Sequence, residues 1–503
     1  MQGTPPFKQG DEAERGVGAP ASEELGGVQG TPPFKQGDEA ERGVGAPRER
    51  GAWRGAGDPA IQTMTDTTTS TSASGAPASR AWFERAQQVL PGGVSYAIRD
   101  LAPYPFYVTR AAGSRLYDVD GREYTDYWCG HGALILGHAP RRVTDAVCRQ
   151  VALGSHFGFA HPLEVELAEM VTRMVPSAEM MRYTNSGTEA NMYAVGLARA
   201  CTGRTKIAKM EGGWHGGVEC LQKAVKVPFD VPDSAGLNPH AMADTMALPF
   251  NDLEAAGRAL AGGDLACLIV EPMMGAAGCI PADRDYLVGL RELTARHGTL
   301  LVFDEVITGF RLSVGGAQQH FGVIPDITIL GKILGGGFPI GALCGRRHLF
   351  ERLDHRRFAG KHERVFQGGT FSANPVSLVA GIETLKALED GATHRELDRL
   401  GSRLRAGLAD TFRAHGIPAA TTGAGSAIGV HFRQGAPRNA REAAEDDSTL
   451  ARAYFDHMRA RGIAYLSPGL PHMFLSSAHT DRDIDAFIAA TTEFAAAARH
   501  PQS

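Results

Sequence analysis

The chain has 503 residues, 43% of them hydrophobic, and a formal net charge of −5 with acids and bases interspersed. That size admits a large core with additional domains, and the charge balance argues against nucleic-acid or anionic-membrane partners. Its apolar runs fall well short of the roughly 20 residues that span a bilayer. No charged-then-apolar leader opens the sequence, and the seven cysteines form no CxxC pair, so neither a zinc site nor a disulfide framework is expected and a reducing cytoplasm is the expected setting.

The first segment repeats itself: QGTPPFKQGDEAERGVGAP stands at 2–20 and again at 29–47. Solenoid repeats drift in sequence and carry an apolar face, which this one lacks. With few large apolar residues and a Thr/Ser-rich stretch at 65–74, residues 1–78 read as a disordered tail. Either it binds a partner or it is an extension without a role, with Met64 as the natural start; folding is expected from about Ser79. From about Arg115, short apolar runs alternate with helical patterns, the mark of an α/β domain with a mainly parallel sheet. Strands are expected at 180–184, 205–210, 266–270, 299–303 and 326–330, with a helix over 188–200. Beyond about His362 helices dominate, at 375–388, 397–415 and 449–461. Thr480 with Asp483 forms a capped start for a last helix, and the polar stretch 433–448 reads as a surface excursion. The predicted division is 79–130 as the N-terminal segment of a small domain, 131–361 as a large domain and 362–503 as the C-terminal part of the small α+β domain.

Four places carry candidate chemistry. Lys332 follows an apolar run and precedes three glycines, so its amine sits at a strand end where desolvation lowers its pKa, as an imine-forming nucleophile needs; a solvent-facing lysine fits the same pattern. Asp304 ends the run TLLVFD, and the C-terminal ends of parallel strands are where such sheets collect functional groups. A carboxylate there can hold a protonated ring nitrogen or act as a structural acid. Ser186, Gly187 and Thr188 lie between a strand and a helix N-terminus, an anion site, and Thr370 after two glycines offers a second hydroxyl. Trp214, followed by His215 on a glycine-rich loop, and Val306 offer walls for a flat ring or ordinary packing.

NSGTEA (185–190), GGWHGG (212–217), LVFDEVITGFR (301–311), ILGKILGGGFPIGA (329–342) and GGTFSANP (368–375) together resemble the class III aminotransferases, of the fold-type I pyridoxal phosphate group. The resemblance runs from about Ala86 to the C-terminus. It implies pyridoxal 5′-phosphate as cofactor, a Schiff base on Lys332, and Asp304 paired with the pyridine nitrogen. It also implies phosphate contacts from Ser186, Gly187 and Thr188, a ring between Trp214 and Val306 with His215 alongside, and Thr370 donated by the other subunit of a homodimer. PGGVSYAIRD (91–100) is similar to a pattern in glutamate-1-semialdehyde aminomutases and places Arg99 on a substrate carboxylate, which suits its forked guanidinium.

Three departures concern the substrate side. Ala276 replaces the gating glutamate of ornithine- and GABA-type transaminases, Cys129-Gly130-His131 stands where aminomutases have Ser-Trp-Gly, and 467–476 lacks their aromatic-Glu-Ala stretch and looks more like that of β-amino-acid transaminases, without an arginine after its proline. The expected activity is therefore ping-pong transamination between an amino-acid-like donor and a carbonyl acceptor. The alternatives are the intramolecular aminomutase reaction and a binding protein without turnover.

Overall fold

Seven short strands form one sheet that organises the molecule. The computed structural model describes residues 76–465 and 469–498, within a compact unit spanning Thr71–Ser503. The repeat and the Thr/Ser-rich stretch lie outside the described residues. The strands are β1 (Met180–Thr184), β2 (Lys206–Met210), β3 (Thr245–Leu248), β4 (Leu265–Val270), β5 (Leu300–Asp304), β6 (Ile327–Gly331) and β7 (Gly341–Gly345). They lie in the order β1-β7-β6-β5-β4-β2-β3, parallel except for β7, which runs antiparallel to both neighbours.

A mainly parallel sheet is covered on both faces, so its strands are apolar on both sides. β4, LACLIV, is buried at every position. One face of the sheet, through Ile207, Ile269 and Val302, packs on Ala190, Val195 and Leu197 of helix α1 (Gly187–Thr202). The other face, through Leu268, Leu301 and Phe303, packs on Tyr286, Leu287 and Leu290 of helix Arg284–His297. Burying each such leucine or isoleucine contributes about 1.5–3 kcal/mol.

The flanking parts of the chain interleave. Strands Val108–Ala112, Arg115–Asp118 and Glu123–Asp126 form a sheet whose last member pairs in parallel with Ile463–Ala464, near the other end of the chain. Ala420–Thr422, Ala427–His431 and His472–Phe474 make a third sheet. The C-terminal helices form where the pattern places them, at Pro375–Leu388, Ala392–His415 and Ser448–Ala460. Helix Asp481–Ala498 begins where Asp483 Oδ2 accepts from both the N–H and the hydroxyl of Thr480, at 2.8 and 2.9 Å. The stretch 433–448 is more than a surface excursion. It contains the short helix Ala440–Ala443, whose Ala440 is buried over Gly212, and Arg441 there grips Glu211 with two hydrogen bonds of 2.6 Å. All seven cysteines are free, and no helix among the described residues is long and apolar enough to cross a membrane.

Candidate active site

The carboxyl ends of β1, β5 and β6 converge on a cavity of 420 Å³. β5 delivers Asp304 as its last residue, and β6, hydrogen-bonded beside it with Ile329 opposite Asp304, delivers Lys332 one residue past its end. Lys332 has φ of +46°, the left-handed region that costs a side-chain-bearing residue energy and that persists where the surroundings enforce it. Burial pulls its ammonium below the ordinary lysine range, and the Arg311 cation adds to this; Asp304 and Glu271 pull the other way.

Asp304 is buried and bonded on both oxygens. Its Oδ2 accepts from Asn191 Nδ2 and meets His215 Nδ1, both at 2.8 Å, and its Oδ1 accepts the Val306 N–H at 3.1 Å. His215 is fully enclosed, so burial lowers its pKa against the raising effect of Asp304. A carboxylate only accepts, so Nδ1–H donates to Asp304, and Nε2 is buried without a partner.

β1 ends in the 185–188 turn that starts α1. Ser186 Oγ caps the helix by accepting the Glu189 N–H at 3.2 Å, and the first helical amides have no intrahelical acceptor. These amides line the cavity and attract an anion through the helix dipole. Space is kept open above them by glycines. At Gly216, where φ is +79°, an added Cβ would stand 2.1 Å from Thr188 Oγ1, and at Gly187 it would stand 2.7 Å from Val306 Cγ2. Trp214 and Val306 both line the cavity, as the ring-wall reading requires.

Glu271, one residue past β4, went unassigned in the sequence. It lines the cavity beside Asp304, its Oε1 accepts the Trp214 N–H at 2.9 Å and its Oε2 accepts the Gly275 N–H at 3.0 Å. Burial, with the Asp304 charge adding, raises its pKa to about 7. The signal was available: it follows an all-apolar strand just as Asp304 does. Asn191, a turn into α1, had no such signal.

Two expected residues stand apart. Thr370 is exposed and does not line the cavity. Arg99, in a short 3₁₀ turn, lines a separate, mostly apolar cavity of 520 Å³ with Phe106, Trp128 and His131. His131 lines that second cavity; burial, with the charges of Lys332 and Arg99 adding, lowers its pKa to about 4. Residues 467 and 468 of the altered C-terminal motif lie outside the described residues.

Residues 96–491 match the family described as aminotransferase class-III. The chain belongs to that family. It is 44% identical over 414 residues to glutamate-1-semialdehyde 2,1-aminomutase of Methanothermobacter thermautotrophicus, covering 82% of this chain and 97% of the relative. Among solved structures, an omega-transaminase from Sphaerobacter thermophilus is similar with a TM-score of 0.79 and 36% identity, covering 84% of this chain and 98% of that one. A glutamate-1-semialdehyde aminomutase from Pseudomonas aeruginosa in complex with PMP is similar at TM-score 0.76 and 27% identity, over 83% and 94% of the two chains. The protein is thus a class III aminotransferase-family enzyme whose cofactor is pyridoxal phosphate. The cavity suits that group: a lysine amine, a doubly bonded carboxylate, an amide-lined anion cradle and two walls surround a space that glycines hold open.

Proposed function

We propose that this enzyme exchanges an amino group and a carbonyl on adjacent carbons of one carboxylate-bearing substrate, the glutamate-1-semialdehyde 2,1-aminomutase reaction. The observation that carries this reading is the 44% identity, sustained over 97% of an aminomutase chain. This departs from the two-substrate transamination that the altered 467–476 motif suggested.

Pyridoxal phosphate, when bound, supplies an electron sink for the bond broken at the amino-bearing carbon. Lys332 Nζ, its ammonium disfavoured by burial, would carry the proton between that carbon and the coenzyme. Asp304, oriented by Asn191 and His215, holds positive charge at the ring nitrogen. Ser186, Gly187 and Thr188 bind the phosphate, Trp214 and Val306 exclude water from the two ring faces, and Arg99 orients the substrate carboxylate.

Incubation with glutamate 1-semialdehyde and no second substrate should give 5-aminolevulinate in stoichiometric yield. A second reading, transfer between an amino donor and a separate oxo acid, is favoured by one feature, the apolar 520 Å³ cavity beside Arg99, and by the likeness to the omega-transaminase. No 5-aminolevulinate from the first assay, with turnover only when donor and acceptor are both supplied, would replace the first reading by the second. In either case, borohydride reduction of the holoenzyme should fix the coenzyme mass on the peptide containing Lys332, and K332A should show none.

We also infer a homodimer in which Thr370 reaches the phosphate of the other copy. Supporting this, Thr370 is exposed outside its own cavity, and Phe371 and Phe366 beside it are 60% and 78% exposed. Sedimentation at micromolar concentration should return twice the chain mass. The inferred division is 79–130 with 362–503 as the small domain and 131–361 as the large one. The parallel pairing of Ile463–Ala464 with Glu123–Asp126 supports the first grouping. Seven free thiols agree with a reducing, cytoplasmic setting.

A further inference from the structure

We propose that Lys209 is a positioning residue for the coenzyme, its buried ammonium tying down the loop that carries Trp214 and His215. Lys209 lies on β2, has no exposed surface and does not line the cavity. Its Nζ donates to three backbone carbonyls, those of Gly213 at 2.9 Å, Leu221 at 3.1 Å and Lys223 at 2.7 Å. An ammonium has three N–H donors and no acceptor, so the set is complete.

The three acceptors come from both ends of one excursion. Residues 211–223 leave the end of β2, pass over the cavity and return, broken only by a short turn at Glu219–Leu221. Lys209 sits beneath this excursion and draws its start and its finish to one point. Between those ends lie Trp214, whose N–H bonds Glu271, His215, which bonds Asp304, and Gly216, which closes on Thr188. The ring wall, the partner of the ring-nitrogen carboxylate and the rim of the phosphate turn therefore share one anchor.

Burying an ammonium without a carboxylate directly paired to it is costly, and the cost is tolerated where the geometry it fixes is needed. The charges that face Lys209 are Asp233 and Glu271, both acting at longer range and raising its pKa, with His215 on the cavity side. Burial outweighs the two acids and lowers the lysine to about 8. A methionine would fill the same volume and leave three buried carbonyls without a donor, so the loop would relax towards solvent. The inference uses the coenzyme assignment alone and is independent of whether the reaction is intramolecular.

The test is titration of the apo form of K209M with pyridoxal phosphate, followed by coenzyme absorbance and by quenching of tryptophan fluorescence. The expected result is at least a tenfold rise in Kd and an altered pH profile of the bound-coenzyme spectrum. K206M, on the same strand with its side chain in a surface ion pair, should match the unsubstituted protein. A folded K209M with the unsubstituted Kd and spectrum overturns the proposal, because a purely structural lysine would lower the melting temperature and leave both unmoved. Should K209M not fold, hydrogen exchange on the unsubstituted protein decides. As the ammonium loses its proton between pH 7 and 9.5, one carbonyl loses its donor and faces a nitrogen lone pair. Amides of 212–217 should then lose protection relative to those of β4; unchanged relative protection also overturns the proposal.

Discussion

A buried carboxylate has to be satisfied on every side, and Asp304 is satisfied by an amide side chain, an imidazole and a backbone N–H. The ring nitrogen would be its one charged partner. Hydrogen bonds to charged groups contribute about 1.5–3 kcal/mol, so D304N should lower kcat/KM by about 10- to 100-fold. The loss should appear with the coenzyme still bound, as measured by absorbance, since the phosphate contacts are untouched. Asp304 was legible because it terminates an apolar strand of a parallel sheet, and Lys332 because it does the same one strand over. Arg99 was legible only through resemblance and Thr370 only as a hydroxyl after two glycines: one lies on an irregular turn and the other on an exposed segment, where neither periodicity nor burial marks a side chain.

Elements bring these side chains together, and their close approaches are the sensitive points. At Gly216 both the positive φ and the 2.1 Å separation from Thr188 Oγ1 exclude a side chain. G216A should displace the loop from α1 and weaken pyridoxal phosphate binding, measured by equilibrium dialysis. Its effect on the melting of the apo form should be small beside that loss, because residues 212–217 supply no member of the apolar clusters. The strands that sequence reading located, such as β1 and β4, are those with β-branched or continuous apolar runs. β7 escaped because GALCG has two glycines and no β-branched residue, and β3 because TMAL is only four residues long. Tertiary burial, which is complete along β7, overrides that weak propensity.

At the scale of the molecule, buried titratable groups give stability an opposed dependence on pH. His472 is buried and its pKa lowered to about 3 by burial, with the Lys332 and His131 charges adding. In the unfolded chain it takes up a proton near 6.5, in the folded chain near 3, so stability is present above 6.5 and is lost as pH falls through that window. Glu271 acts in the other sense. Its folded pKa of about 7 exceeds the unfolded value of 4.5, so the folded state holds a proton that the unfolded state has released, and stability falls as pH rises from 4.5 to 7. Thermal melting of the apo form should show H472L with a shallower loss between pH 6.5 and 4, and E271Q without the decline between 4.5 and 7. Steeper curves for either variant would contradict the assignment.

One strand sets a timetable. β7 stands between the strand that ends at the 185–188 turn and the strand that precedes Lys332. During synthesis β1 therefore leaves the ribosome more than a hundred residues before its hydrogen-bonding neighbour exists, and non-local pairing of this kind is slow to complete. The 185–188 turn, against which Gly341 packs, therefore lacks one wall until that residue has emerged, and a nascent chain halted before Gly341 should bind pyridoxal phosphate less well than the full chain.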